Sequence, residues 1–191
     1  MPHTLAALVA LPLLMAGGRS GADADLSTEM RYEAWATGLE MFKHSPVFGV
    51  GARLFGSHHF LTAHNTFVLT LAELGFPGMV MFVSIVYLSF KTLIVGLREL
   101  RHVPGTDAAT TWGLALLASM AGIVFQINTL SFAYHAVIWI FFALCAAWTS
   151  AIRYHLPTFR VRMTWTDFFI VLGLCVGYLS VLPLFLRYKG F

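Results

Sequence analysis

The chain has 191 residues, of which 58% are hydrophobic and 11% are charged, and its formal net charge is +3. Because soluble domains of this size carry about 25% charged residues, the composition excludes an ordinary soluble domain and indicates an integral membrane protein. The basic residues form no run, so nucleic acid is not an expected partner. Cys145 and Cys175 lie inside apolar stretches, where we expect buried thiols rather than a disulfide or metal pair.

The chain begins with a short apolar stretch, residues 1–16, which Gly17-Gly18-Arg19-Ser20-Gly21 then breaks. A signal peptide would carry a basic region at its start, and a full span would need about 20 apolar residues. We therefore interpret residues 1–16 as a partial membrane helix, the truncated last span of a preceding half. A short native anchor is the alternative.

Residues 17–75 are predicted to form an extracytoplasmic segment. From Glu29 to about His44, apolar and charged side chains recur on opposite faces of a helix. The pattern predicts an amphipathic helix in the membrane interface or, alternatively, a helix packed on the spans. Arg31 precedes Trp35 by one turn, so it can stack on the indole, reach lipid headgroups or bind a phosphate. Arg53 follows on the same side of the membrane.

A second, short apolar helix is predicted to begin at Thr62 or Ala63 and to end at Leu74, before the break Gly75-Phe76-Pro77-Gly78. His64 would lie in the first turn, where the positive end of the helix dipole disfavours imidazolium. A neutral imidazole there can accept a proton, and Asn65 can orient a substrate hydroxyl. The alternative is an interfacial histidine with no catalytic task.

Three histidines, His58, His59 and His64, lie near one another in the sequence. Their spacing is poor for zinc, and no well-placed carboxylate or cysteine completes a ligand set, so no metal is expected. Tyr134 and His135 lie at the outer end of a predicted span, where they either line the same cavity as the segment above or pack within the bundle.

Four apolar stretches are each long enough to cross a hydrocarbon core of about 30 Å. They run near residues 76–95, 109–128, 132–152 and 167–186. We therefore predict an all-α integral membrane protein in which residues 76–191 form a four-span bundle. Two short loops are basic, with Arg98 and Arg101 in the first and Arg153, Arg160 and Arg162 in the second. Both should be cytoplasmic, so residues 17–75 should face the opposite side.

A sequence motif adds to this topology. His64-Asn65, nine residues, then Gly75-x-x-Gly78 resembles the signature of bacterial O-antigen ligases. Upstream, Arg31-Tyr-Glu-Ala-Trp35, Pro46 and Gly49-Val50-Gly51 resemble the segment that precedes this signature in the wider O-antigen ligase and polymerase superfamily. The resemblance covers about residues 31–78.

The resemblance implies a GT-C-type glycosyltransferase of the bacterial inner membrane, which needs no cofactor or metal. Such an enzyme would move a glycan from undecaprenyl pyrophosphate to the lipid A core, a growing polysaccharide or a protein. The resemblance places the essential histidine on His64 and the pyrophosphate-binding arginines on Arg31 and Arg53. Gly75 and Gly78 would be structural members of the motif.

The chain is shorter than members of this superfamily, so it is expected to be a C-terminal half. It would act within membrane lipid, and a separate N-terminal half would be a partner. Two alternatives stay open. One is a non-catalytic membrane subunit or inactive remnant of such an enzyme. The other is a transporter, which is disfavoured because the centres of the predicted spans carry almost no ionisable residues.

Overall fold

The computed structural model describes residues 21–191, with side-chain surroundings from residue 25 onward. This part of the chain is helical. Its helices are α1 (Gly21–His44), α2 (Thr66–Leu100), α3 (Asp107–Ile127), α4 (Ala136–Ile152) and α5 (Trp165–Lys189), with a 3-10 turn at Phe55–Ser57. The predicted helix of residues 1–16 and the glycine break at residues 17–20 lie outside the described residues.

Three of the described helices, α2, α3 and α5, are long and apolar enough to cross a membrane. The third predicted span, at residues 132–152, is instead the 17-residue helix α4, which begins only at Ala136. The residues before it form a connection that crosses the start of α2, where Thr66 Oγ1 donates to Leu130 O and accepts from Phe132 N. The all-helical fold is therefore confirmed for the described residues, with three helices long and apolar enough to span a membrane and one shorter apolar helix.

Helix α2 is the centre of the bundle, because α1, α3, α4 and α5 all pack against it. Near the C-terminal end of α2, glycines allow the neighbouring helices to approach closely. A Cβ on Gly96 would lie 2.7 Å from the ring of Trp148, and one on Gly113 would lie 2.5 Å from the same ring. Trp148 of α4 therefore fills the space between α2 and α3, and its indole N–H donates to Ala109 O at 2.8 Å.

The two basic loops lie at the same end of the bundle. One follows α2 and the other joins α4 to α5, and Leu100, Ile152 and Phe159 pack there in one buried cluster. The candidate site described below lies at the start of α2, at the opposite end. This arrangement agrees with the topology expected from the arginines.

A buried ion pair, which sequence analysis did not predict, joins α2 to α5 near the basic loops. Lys91 Nζ lies 2.5 Å from Asp167 Oδ2, and the carboxylate is almost fully buried. The same carboxylate accepts from Tyr87 Oη at 2.8 Å and from the Thr164 hydroxyl at 2.6 Å. Because these donors satisfy a buried charge, the group fixes the start of α5 against α2.

Helix α1 packs against α2 and α5, as the alternative interpretation predicts. Its buried face carries Ala34, Gly38, Leu39 and Met41. A Cβ on Gly38 would lie 2.6 Å from Val68 Cγ1, so the glycine allows α1 to approach α2 closely. The helix also begins earlier than the predicted start at Glu29.

Candidate functional site

The break at Gly75 creates a docking place for the loop that follows α1. In an uninterrupted helix, each carbonyl accepts from the N–H four residues later. Gly75 leaves helical geometry, with φ 69° and ψ −171°, and Pro77 has no N–H to donate. The groups freed from the helix bond to the loop of residues 45–54 instead. Val50 N donates to Ala72 O at 2.9 Å, Gly51 N to Glu73 O at 3.0 Å and Phe76 N to Pro46 O at 2.8 Å.

Two glycines of the motifs are required by this docking, and a third by the helix break itself. A Cβ on Gly75 would lie 2.3 Å from Val47 O, and one on Gly49 would lie 2.2 Å from the backbone of Glu73. A Cβ on Gly78 would lie 2.2 Å from the Cβ of Leu74, because the break brings these residues together. The two glycine motifs of the sequence are therefore the two sides of one backbone contact.

Helix α2 begins at Thr66, so the predicted start at Thr62 or Ala63 is wrong. Asn65 is the N-cap, and its Oδ1 accepts from Phe67 N at 3.0 Å and Val68 N at 3.1 Å. A side-chain amide oxygen at this position satisfies N–H groups that the first turn leaves free. His64 therefore lies one residue before the cap rather than inside the first turn.

The Asn65 side chain is buried and is held by further residues. Its Nδ2 donates to Asn128 O at 3.2 Å, and Tyr178 Oη donates to its Oδ1 at 3.3 Å. These bonds connect the start of α2 to the end of α3 and to the middle of α5, which fixes the backbone next to His64. The contact of Asn65 with a substrate hydroxyl stays a prediction.

Arg31 lies near enough to His64 for its charge to act on the imidazole. Burial, and then the positive charge of Arg31, lower the pKa of the imidazole. The positive end of the α2 dipole, one residue away, acts in the same direction. The imidazole is therefore uncharged at neutral pH, in the form that can accept a proton.

Trp35 aligns α1 with the backbone that carries His64. Its indole N–H donates to Ala63 O at 2.7 Å, which fixes the residue immediately before the histidine. Arg31 lies one helical turn before Trp35 on the same face of α1. The order of Arg31 and Trp35 along α1 therefore explains why the guanidinium acts on the imidazole.

The structure places Arg53 in a second group, with Glu73 and Tyr134. Glu73 lies eight residues after the N-cap, or about 12 Å along the helix axis. Its carboxylate accepts from Arg53 N at 2.8 Å and from Tyr134 Oη at 2.6 Å. The guanidinium carbon of Arg53 lies 5.5 Å from the centre of the Tyr134 ring. Of the two arginines, then, Arg31 belongs to the His64 group and Arg53 to this one.

Neither arginine is neutralised within the part of the chain that the structure describes. The ion pairs found there join Lys43 to Glu40 and Lys91 to Asp167. Both guanidinium groups therefore keep donors for an anion, and a guanidinium matches the geometry of a phosphate group.

Backbone strain coincides with these two groups. Among the described residues other than glycine, Arg53 (φ 63°) and His64 (φ 46°) have positive φ. Such conformations cost free energy and persist where the surrounding contacts hold them, often at functional sites. This strain could not be predicted from the sequence, because arginine rarely adopts positive φ and histidine does so far less often than glycine.

An apolar groove leads away from Arg53 between α2 and α4. Arg53 and Tyr134 line one end of a cavity of about 390 Å³, whose walls include Met81, Phe82 and Trp139. At Ile85 it adjoins a second cavity of about 450 Å³, which reaches Arg153 near the basic loops. Of the two alternatives for Tyr134, the lining of a cavity is therefore confirmed, whereas His135 is the N-cap of α4.

The fold and the site together define a multi-pass helical membrane protein with cationic side chains and an uncharged histidine at one end of its bundle. Residues 4–83 match the family described as O-Antigen ligase, so the resemblance seen in the motifs is confirmed. This stretch contains all six predicted site residues: Arg31, Arg53, His64, Asn65, Gly75 and Gly78. No curated protein and no solved structure matches the chain significantly.

Proposed function

We propose that this chain takes part in glycan transfer from undecaprenyl pyrophosphate to an acceptor hydroxyl at the extracytoplasmic face of a bacterial inner membrane. The observation that carries the proposal is the uncharged His64, part-buried and within reach of the charge of Arg31, in the stretch that matches the O-antigen ligase family. The acceptor would be the lipid A core, a growing polysaccharide or a protein, and the enzyme would be of the GT-C type.

His64 would act as the general base. Its imidazole accepts the proton of the acceptor hydroxyl while the hydroxyl oxygen forms a bond to the anomeric carbon. The bond between that carbon and the pyrophosphate oxygen breaks, and the pyrophosphate leaves with the electron pair. One displacement inverts the configuration at the anomeric carbon. The leaving group needs no protonation, since pyrophosphate is stable as an anion.

Charge stabilisation would fall to the arginines. Negative charge develops on the pyrophosphate as the bond breaks, and preorganised cations lower the free energy of that transition state. Arg31 lies beside the base, and Arg53 lies at the groove between α2 and α4. The two groups thus offer cations to an extended anionic substrate, one near His64 and the other over Tyr134.

The groove supports a lipid-linked substrate. Its apolar walls suit an isoprenoid chain, and the guanidinium at its end suits the anionic head of the same molecule. Continuation of the groove past Ile85 gives the chain a path along α2 and α4 toward the opposite end of the bundle. The tail would thus lie against the spans while the sugar remains at the site.

Reconstitution tests the proposal. The full chain is placed in proteoliposomes with a glycan on undecaprenyl pyrophosphate, and lipid A core, lipid-linked repeat units or protein is added as the acceptor. We expect glycan-modified product from one acceptor, without added metal or nucleotide. Transfer that requires a co-expressed N-terminal half would assign the activity to the pair. Absence of product with every acceptor, with and without that half, would overturn the proposal.

A further inference from the structure

Glu73 is a buried carboxylate that the sequence analysis overlooked. Its side chain is 1% exposed and lies on α2, two residues before the break at Gly75. The carboxylate accepts three hydrogen bonds, from Arg53 N at 2.8 Å, Phe55 N at 2.8 Å and Tyr134 Oη at 2.6 Å. A buried carboxylate requires such donors, and these three hydrogen bonds satisfy the carboxylate of Glu73.

Two of these bonds fix the backbone of the loop at Arg53. Oε2 holds Arg53 N and Oε1 holds Phe55 N, so the carboxylate brackets Leu54 between them. Arg53 has φ 63°, a conformation that an arginine keeps only where contacts enforce it. The carboxylate therefore sets the direction in which the arginine side chain leaves the loop.

The third bond fixes the aromatic ring beneath the guanidinium. Tyr134 lies just before α4, 61 residues along the chain from Glu73, and its hydroxyl donates to the same carboxylate. Burial, and then the hydrogen bond to Glu73, raise the pKa of Tyr134, so the phenol stays protonated and remains a donor. The guanidinium of Arg53 stacks over this ring.

We infer that Glu73 is a positioning residue for anion binding by Arg53. It acts through the backbone and the Tyr134 ring, and it makes no ion pair with the guanidinium in the described part of the chain. Arg53 is thereby aimed at the end of the groove with its donors free for the head of an anionic isoprenoid lipid. The inference rests on the proposed function, because that function supplies the lipid diphosphate as the ligand.

A double-mutant cycle tests the inference, with the affinity of the full chain for undecaprenyl pyrophosphate in nanodiscs as the readout. Glu73→Gln keeps the size of the side chain but replaces one carboxylate oxygen by an NH2 group. This group is a hydrogen-bond donor, so it cannot accept from the donors around it. We expect its Kd to rise about tenfold. In an Arg53→Ala background the same substitution should change Kd by less than about twofold, because the residue that it positions is gone. Glu33→Gln, at an exposed position of α1, is the matched control and should leave Kd unchanged.

Tyr134→Phe repeats the cycle with less risk to folding, because it removes the hydroxyl and keeps the ring under Arg53. If a substitution raised Kd by the same factor in the wild-type and Arg53→Ala backgrounds, the inference would be overturned. A wild-type chain that does not bind the lipid would also overturn it. Glycan transfer by each variant is measured beside its Kd. Failure of the proposed function would therefore appear in transfer, whereas failure of the positioning role would appear in these affinities.

Discussion

Replacement of His64 by alanine is expected to lower the rate of glycan transfer by a factor of about 10²–10⁴, the usual contribution of a general base. The imidazole is uncharged because burial and the charge of Arg31 disfavour its protonated form. Transfer is measured in proteoliposomes with a lipid-linked glycan. Insertion and melting temperature should stay close to those of the wild type, since Asn65, the neighbouring residue, caps α2 without help from the imidazole.

His58→Ala is the matched control for this experiment. His58 is exposed, and its side chain lies in the same loop region, after the 3-10 turn. Its replacement should leave transfer within about twofold of the wild type, the range expected for a surface position. If His64→Ala retained the wild-type rate, His64 would not be the base.

Replacement of Gly75 by alanine should have the second large effect, on the fold around the site. Its φ of 69° and ψ of −171° lie in a region that essentially only glycine occupies, and a Cβ would lie 2.3 Å from Val47 O. Strain of about 1–3 kcal/mol, with the added clash, should lower Tm by about 5–10 °C. The 45–54 loop should also become a target of limited proteolysis, because its bonds to the broken helix are lost.

Gly56→Ala provides the comparison, because a Cβ on Gly56 has no atom within 4 Å and its φ is not positive. Its Tm should stay within about 2 °C of the wild type. An unchanged Tm and proteolysis pattern for Gly75→Ala would contradict the docking of the loop at the helix break.

The apolar runs were long enough to predict the helices, and the Gly-x-Pro-Gly sequence was enough to predict the break after Leu74. The start of α2 was misplaced because several residues before Thr66 can begin a helix. Asparagine is one of the preferred N-caps, so Asn65 carried a usable signal that the functional interpretation obscured. The third predicted span was placed too early because its first residues are apolar, yet they cross the start of α2.

The composition of the site was harder to predict than its location. A lone Glu73 in an apolar helix is a signal for function or for buried hydrogen bonds, and it could have been identified from the sequence. Its partner Tyr134 and the Lys91–Asp167 pair come from distant parts of the chain, so packing alone brings them together. The separation of Arg31 from Arg53 likewise depends on how the 45–54 loop docks against the broken helix.

The pH dependence of glycan transfer tests most directly whether an uncharged His64 is the base. Burial and the charge of Arg31 hold the pKa of His64 below the ordinary value of a histidine. Because a protonated imidazole cannot act as a base, the wild-type rate should fall only when the pH approaches this lowered pKa. Arg31→Gln removes one cause of the shift, so its rate should begin to fall at a higher pH, whatever its maximal rate. Arg98→Gln, at the opposite end of the bundle, should leave the profile unchanged. An acid limb at the same pH in wild type and Arg31→Gln would contradict the account.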